Sequence, residues 1–301
     1  MLDVNSNLKI DKIRAPFLHN GVELDILRLD LVHPIVSGNK LFKLHHYIEQ
    51  ARNQKATKLV TSGGPYSNHL AATAYYANEN GFKSAAFVRG EAPEVLSHTL
   101  VACQNWGMEL YFTDRTTYDT TDTQSLWQNL NHNDAKISFV VPEGGFGIPG
   151  SKGLEAVFNM IDLSAYSHIC TPVGTATTFA GLINGASMKQ KIIGIAALPN
   201  HEDISRRLNE LLINKDNKNH ELWMDYHFGG YARKNQKLLD FLNECYNQYQ
   251  IPLDFVYTGK MLFGIFDKIQ SDYFPANSKI LCVHTGGLQG NLSLKSGTLV
   301  F

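Results

Sequence analysis

A lysine beside a glycine-asparagine turn, Ser37-Gly38-Asn39-Lys40, is the side chain of this sequence best suited to covalent chemistry. It ends the uncharged run Ile35-Val36-Ser37-Gly38-Asn39. Burial there would lower its pKa and favour the neutral amine that condenses with an aldehyde. Such a lysine suits an enzyme that binds an aldehyde cofactor as a Schiff base. Lys43 follows. A second cluster, Gly63-Gly64-Pro65-Tyr66-Ser67-Asn68-His69, comes soon after the apolar run Leu59-Val60-Thr61. The Asn68 amide could donate to a phenolate-like oxygen, and Ser67 could move a proton with Lys40 or His69 close by. Ser67 or Asn68 also suits a helix cap, which is compatible with that chemistry.

Three further segments supply binding groups. Val173-Gly174-Thr175-Ala176-Thr177-Thr178 joins a strand to a helix through small residues. Free backbone N–H groups, the helix dipole and the threonine hydroxyls make such a loop an anion site. In Asp254-Phe255-Val256-Tyr257-Thr258-Gly259-Lys260, Tyr257 could stack on a flat ring or act as an acid. In Val283-His284-Thr285-Gly286-Gly287, Thr285 could reach a ring nitrogen from a strand end, where ligands of such sheets collect. His45-His46 makes a poor metal pair, because adjacent helix residues face different ways. The Ser67 segment does not fit a G-x-S-x-G nucleophile turn, and no G-x-G-x-x-G follows a strand. A serine hydrolase and a nicotinamide dehydrogenase are therefore poor readings.

The elements that must position these groups alternate. Helices are expected over Leu41–Gln54, from Leu70 towards Gly81, over Ser97–Trp106 and over Thr178–Ser187. Strands are expected at Lys58–Thr61, Ser84–Val88, Glu109–Phe112, Ile137–Val141, Ser167–Thr171, Ile192–Ala197 and Lys279–His284. Parallel neighbours need crossover helices, so the rhythm defines an α/β protein with parallel-rich sheets. Gly144–Gly150 reads as a hinge or linker, and the polar stretch Asn214–Glu221 as a solvated loop or frayed helix end.

Composition narrows the function classes. The 301 residues are 44% apolar and 18% charged, ordinary for a globular chain of one large or two packed domains. Lys+Arg 27 against Asp+Glu 28 leaves a net charge of −1, with no positive field for nucleic acid. Cys103, Cys170, Cys245 and Cys282 form no C-x-x-C pair and read as buried free thiols. Met1-Leu2-Asp3-Val4-Asn5 has neither a basic nor an apolar signal region, and no apolar run reaches membrane length. A cytoplasmic protein without a membrane partner is the expectation.

Taken together, these segments resemble the pyridoxal-phosphate enzymes of the 1-aminocyclopropane-1-carboxylate deaminase/D-cysteine desulfhydrase family. The resemblance runs from Ser37-Gly38-Asn39-Lys40-Leu41-Phe42-Lys43 to His284-Thr285-Gly286-Gly287. Between them come Gly-Gly-x-x-Ser-Asn-His, Pro142-Glu143-Gly144-Gly145, the small-residue loop and Tyr257-Thr258-Gly259-Lys260, in the family's order. The resemblance implies the tryptophan-synthase-β-like fold (fold type II): two three-layer αβα domains around parallel-rich sheets. It implies a large cofactor-binding domain of residues 1–43 and 146–301, a small inserted domain of residues 44–145, and the cofactor in the cleft between them. A homodimer is likewise implied.

By the same resemblance, Lys40 holds the cofactor aldehyde and shuttles the substrate's α-proton. Lys43 and the loop Gly174, Thr175, Ala176, Thr177 and Thr178 bind the phosphate, while Thr285 and Tyr257 meet the ring. Asn68 pairs with the ring hydroxyl, and Ser67 and His69 face the substrate carboxylate together with Asn68. Tyr231, in His227-Phe228-Gly229-Gly230-Tyr231, and Tyr257 match active-site tyrosines.

Three departures stand out. Gly-Thr-Ala-Thr-Thr replaces a more glycine-rich phosphate loop, which could tighten or shift the pocket. Ala232 interrupts a Gly-Tyr-Gly pattern. Thr258 stands where the deaminases resemble Tyr-Glu-Gly-Lys, and loss of that carboxylate leaves a ring nitrogen less readily protonated. A weaker electron sink suits α,β-elimination of a small β-substituted D-amino acid such as D-cysteine better than opening a cyclopropane. The alternatives are the cyclopropane deaminase, a racemase or dehydratase on the same cofactor, and a non-catalytic binder of pyridoxal phosphate or an amino acid.

Overall fold

The computed structural model describes residues 8–130, 137–216 and 219–301. The amino-terminal stretch Met1–Asn5, read above for a signal, lies outside the described residues. Ten strands are named: β1 Ile10–Ile13, β2 Glu23–Arg28, β3 Lys58–Gly63, β4 Lys83–Arg89, β5 Met108–Thr113, β6 Ser138–Val140, β7 His168–Val173, β8 Lys191–Ala196, β9 His220–Trp223 and β10 Lys279–His284. The α-helices are α1 Asn39–Asn53, α2 Asn68–Glu79, α3 His98–Asn105, α4 Arg115–Thr120, α5 Thr123–Leu130, α6 Ile148–Glu155, α7 Val157–Met160, α8 Thr177–Gly185, α9 His201–Leu211, α10 Gln236–Tyr249 and α11 Thr258–Gln270.

The chain separates into two compact units, Met1–Asn39 with Ser151–Phe301, and Lys40–Gly150. These divisions fall a few residues from the 43/44 and 145/146 boundaries expected above, so Lys40 and Lys43 both belong to the inserted unit.

The larger unit is built on a six-stranded sheet in the order β1-β2-β10-β7-β8-β9. Only the β1–β2 pair is antiparallel. Every residue of β7 is buried, as a central parallel strand covered on both faces requires. One face meets α10 and α11: alternate residues Leu24, Ile26, Cys170, Ile193, Ile195, Ile280 and Cys282 join Leu238, Leu242, Met261, Leu262 and Ile265 in one core. Helix α8 packs against β7 and β8 and also meets α9.

The inserted unit holds a four-stranded, all-parallel sheet in the order β5-β4-β3-β6. Strand β4 shows how its two faces are divided. Ala86 and Val88 join Leu70, Ala74 and Leu100 of α2 and α3, whereas Ala85 and Phe87 join Leu126 and Trp127 of α5. Both units are thus three-layer α/β structures.

Two sequence expectations are corrected. Gly144–Gly150 does end at the division between the two units but is not an irregular linker: Glu143–Gly145 forms a 3-10 turn, and Ile148 opens α6. Pro149 fits there because the first turn of a helix has no use for its N–H. The polar stretch Asn214–Glu221 ends in strand β9, whose ladder with β8 holds His220 and Glu221 in place against Ile192 and Ile193; Asn217 and Lys218 lie outside the described residues. The four cysteines are free and buried.

Candidate active site

In the inserted unit, the site residues collect at the carboxyl end of β3. The strand delivers Thr61, Ser62 and Gly63 into a turn, and Ser67 caps α2 by accepting from the His69 and Leu70 N–H groups at 3.2 and 3.4 Å. Ser67 is therefore the cap, and Asn68 is the first helical residue. Gly63 is required by close approach: a Cβ there would lie 2.8 Å from Ser67 Oγ and 2.9 Å from Leu70 Cγ. The Ser97 hydroxyl also donates to the Pro65 carbonyl and steadies the turn. Asn68 Oδ1 and His69 Nδ1 are buried polar atoms with no partner among the described residues.

Lys40 is the second residue of α1 and is half-buried, not enclosed as its uncharged surroundings suggest. Full burial falls instead on Lys43, which is 3% exposed and donates from Nζ to the Gly144 carbonyl at 3.1 Å. Burial, then the charge of Lys40, holds the Lys43 amine well below the usual lysine range. Burial lowers His69 likewise, followed by Lys40 and then Lys43. Lys40, Lys43 and His69 thus share one electrostatic neighbourhood. His45 and His46 both reach Glu49, at 3.3 and 3.0 Å, so adjacent histidines on α1 share one carboxylate instead of diverging completely.

In the larger unit, two glycine motifs far apart in sequence meet. Gly38 has φ +70°, and a Cβ there would lie 1.9 Å from the Thr285 carbonyl oxygen. The Asn39 N–H donates to that same carbonyl at 3.2 Å. Thr285 itself is buried. Beneath this contact, Arg28 grips Asp30 with two hydrogen bonds of 2.8 and 2.7 Å, and His284 lies 3.3 Å from the same carboxylate.

The loop after β7 reaches α8 through Ala176, whose φ of +62° is left-handed. The backbone so keeps the turn that a glycine would make, although the side chain is alanine. Thr175 and Thr177 hydroxyls are 3.0 Å apart, and Thr178 Oγ1 accepts from the Asn39 side chain at 2.8 Å. Tyr257 packs over Gly174, where a Cβ would lie 3.1 Å from its ring, and meets Tyr231 edge-on with centroids 6.1 Å apart. Tyr231 is 51% exposed, so this tyrosine pair has one open side.

Three residues that sequence reasoning left without a role fix these parts, Asp254 and Lys260 in the larger unit and Thr61 in the inserted one. Asp254 accepts from the Val256, Tyr257 and Thr258 N–H groups at 2.8–2.9 Å and from the Thr258 hydroxyl at 2.6 Å. It therefore satisfies the start of α11, and the Thr258 hydroxyl is engaged within that cap. Lys260, 1% exposed, donates to the His227 and Gly230 carbonyls at 2.8 and 2.7 Å and so fastens the turn that carries Tyr231. Thr61, on β3, bonds His69. A polar residue at the end of a parallel strand was the available signal for Thr61. For Asp254, the signal was a carboxylate just before a helix start.

Each unit by itself carries groups that suit a phosphorylated aldehyde: in the larger unit, a small-residue helix start rich in hydroxyls for an anion and a tyrosine pair for a flat ring; in the inserted unit, a lysine cluster and an unpartnered Asn68 amide oxygen. The fold and these residues define a pyridoxal-phosphate enzyme of the fold type II class. The chain belongs to the pyridoxal-phosphate dependent enzyme family, which matches residues 10–286.

Its relatives include the D-cysteine desulfhydrase of Salmonella typhi, 28% identical over 286 residues that cover 89% of this chain and 87% of the relative. Another is the bifunctional D-cysteine desulfhydrase/1-aminocyclopropane-1-carboxylate deaminase of Arabidopsis thaliana, 27% identical over 93% of this chain and 76% of that protein. Among solved structures, the ACC deaminase homologue superimposes with a TM-score of 0.77 at 25% identity, covering 95% of this chain and 90% of that one. No helix among the described residues is long and apolar enough to cross a membrane.

Proposed function

We propose that this chain eliminates the β-substituent of a small D-amino acid, with D-cysteine as the leading substrate. The overall conversion takes D-cysteine and water to pyruvate, ammonia and hydrogen sulfide. The observation that carries the choice of elimination is Thr258, fully buried with its hydroxyl bonded to Asp254, at the position where the resembling deaminases carry a glutamate. The Salmonella relative's name supports the same choice, and the Arabidopsis relative's name covers both activities.

Bound pyridoxal phosphate supplies the electron sink that stabilises negative charge at the substrate's α-carbon. The protein holds that group and moves protons around it. Lys40 would hold the cofactor aldehyde, and its Nζ would take the substrate's α-proton. Lys43 would meet the phosphate, whose negative charge would offset the burial that disfavours a charged amine, and Gly174, Thr175, Ala176, Thr177 and Thr178 would offer N–H and hydroxyl donors to it. Asn68 would donate to the ring hydroxyl, Thr285 would meet the ring nitrogen and Tyr257 would cover the ring. Ser67 and Asn68 orient the substrate carboxylate, and Tyr231 meets the substrate. A homodimer follows the family, and four buried free cysteines suit a reducing, cytoplasmic setting.

The test is turnover of D-cysteine, L-cysteine and 1-aminocyclopropane-1-carboxylate by the purified protein, with sulfide, keto acid and ammonia measured together. Sulfide and pyruvate in equal amounts from D-cysteine support the reading. A keto acid from the cyclopropane without turnover of either cysteine overturns elimination in favour of ring opening.

A further inference from the structure

Thr61 and His69 lie almost entirely out of solvent, 0% and 2% exposed. Thr61 Oγ1 is 2.7 Å from the Val141 carbonyl oxygen and 2.8 Å from His69 Nε2. A hydroxyl has one proton, and a carbonyl oxygen can only accept. That proton goes to Val141, so His69 Nε2 must be the donor to Thr61. A neutral imidazole has one N–H, which leaves Nδ1 as a bare lone pair. Nδ1 is buried and unpartnered among the described residues, and an acceptor left so lacks a donor it would have in water. Burial and the charges of Lys40 and Lys43 oppose a second proton on the ring.

We propose that Thr61 is a positioning residue that locks His69 in the Nε2–H form, so that Nδ1 accepts a hydrogen bond from an amine within the amino-acid site. This rests on the proposed reading of the site as one for an amino acid. It replaces the carboxylate-facing role implied for His69 by resemblance, since a lone pair set against a carboxylate repels it. Two amines have the required chemistry: the side chain of Lys40, whose charge already acts on His69, and the α-amino group of the substrate.

The experiment is a long-range proton–nitrogen NMR correlation of the histidine rings in the holoenzyme labelled with 15N-histidine. The expected spectrum gives His69 an unprotonated Nδ1 and a protonated Nε2 throughout about pH 6 to pH 9. Thr61→Val removes the anchor, so a fraction of His69 carries its proton on Nδ1 and kcat/KM falls about tenfold; Thr61→Ser restores both. In the cofactor-free protein, where the Lys40 amine is free of the aldehyde, Lys40→Ala moves the Nδ1 resonance if the lysine is the donor, and glycine added to the wild-type holoenzyme moves it if the substrate amine is. A protonated Nδ1 or a charged ring in the wild type overturns the proposal, as does an Nδ1 resonance that neither change moves. The wild-type holoenzyme keeps its cofactor band in each of these outcomes, whereas a failure of the amino-acid reading appears as absent turnover with the tautomer unchanged.

Discussion

The Asn39 side chain donates to the Thr178 hydroxyl at 2.8 Å, tying the residue before Lys40 to the first turn of α8. Both partners are buried, at 8% and 4% exposure. Truncation to Asn39→Ala leaves Thr178 short of a donor and costs about 1–2 kcal/mol, or roughly 2–4 °C in melting temperature. The same change is expected to weaken cofactor retention, because it frees the start of α1 and the small-residue loop together. Thermal unfolding and the visible absorbance left after dialysis check both effects.

Neighbouring glycines in one motif have opposite tolerances. Gly63 has Ser67 Oγ and Leu70 Cγ within 2.9 Å of where a Cβ would sit, whereas Gly64 has nothing within 4 Å. Gly63→Ala is expected to cost about 2 kcal/mol through overpacking at the cap of α2 and to lower turnover. Gly64→Ala is expected to change stability by less than about 0.5 kcal/mol. Denaturant unfolding of the two variants side by side makes the comparison.

Ala176 pays for its left-handed backbone, φ +62°, with about 1 kcal/mol of strain that glycine would not carry. Ala176→Gly should relieve that strain while losing about 0.4–1 kcal/mol to a more flexible unfolded chain. The expected net is a variant no less stable than the wild type, with equal or tighter pyridoxal phosphate binding. A fall of several degrees in melting temperature would contradict this account of the loop.

Burial lowers the Lys260 amine from 10.5 to about 8, against an opposing pull from Asp254. From about pH 8 to about pH 10.5 the unfolded chain holds a proton on this lysine that the folded chain has released. Lys260 therefore makes stability rise with pH across that window. Lys260→Met removes this positive slope and releases the His227 and Gly230 carbonyls, so Tyr231 loses its support. Urea unfolding at several pH values, with KM measured alongside kcat, tests both consequences.

Much of this was legible in the sequence because strands and helices alternate with clear punctuation. Lys279–His284 reads directly as a strand, and the serine before α2 reads as part of a cap. The short edge strands Ile10–Ile13 and His220–Trp223 were not legible, because their few residues carry polar side chains that a sheet edge tolerates. Nothing local marks Lys43 as buried, and only the fold encloses it beside the Gly144 carbonyl. Thr61 and His69 are eight residues apart, and their bond exists because α2 folds back over β3, a relation no local pattern encodes.

The central claim is that Lys40, and none of the buried lysines Lys43, Lys58 and Lys260, forms the covalent bond to pyridoxal phosphate. Borohydride reduction of the holoenzyme makes that bond permanent, and proteolysis with mass spectrometry then locates it. The account predicts one modified peptide, bearing the reduced cofactor on Lys40, and no labelling after Lys40→Ala. Cofactor on Lys43, Lys58 or Lys260, or an unmodified wild-type chain, would contradict it.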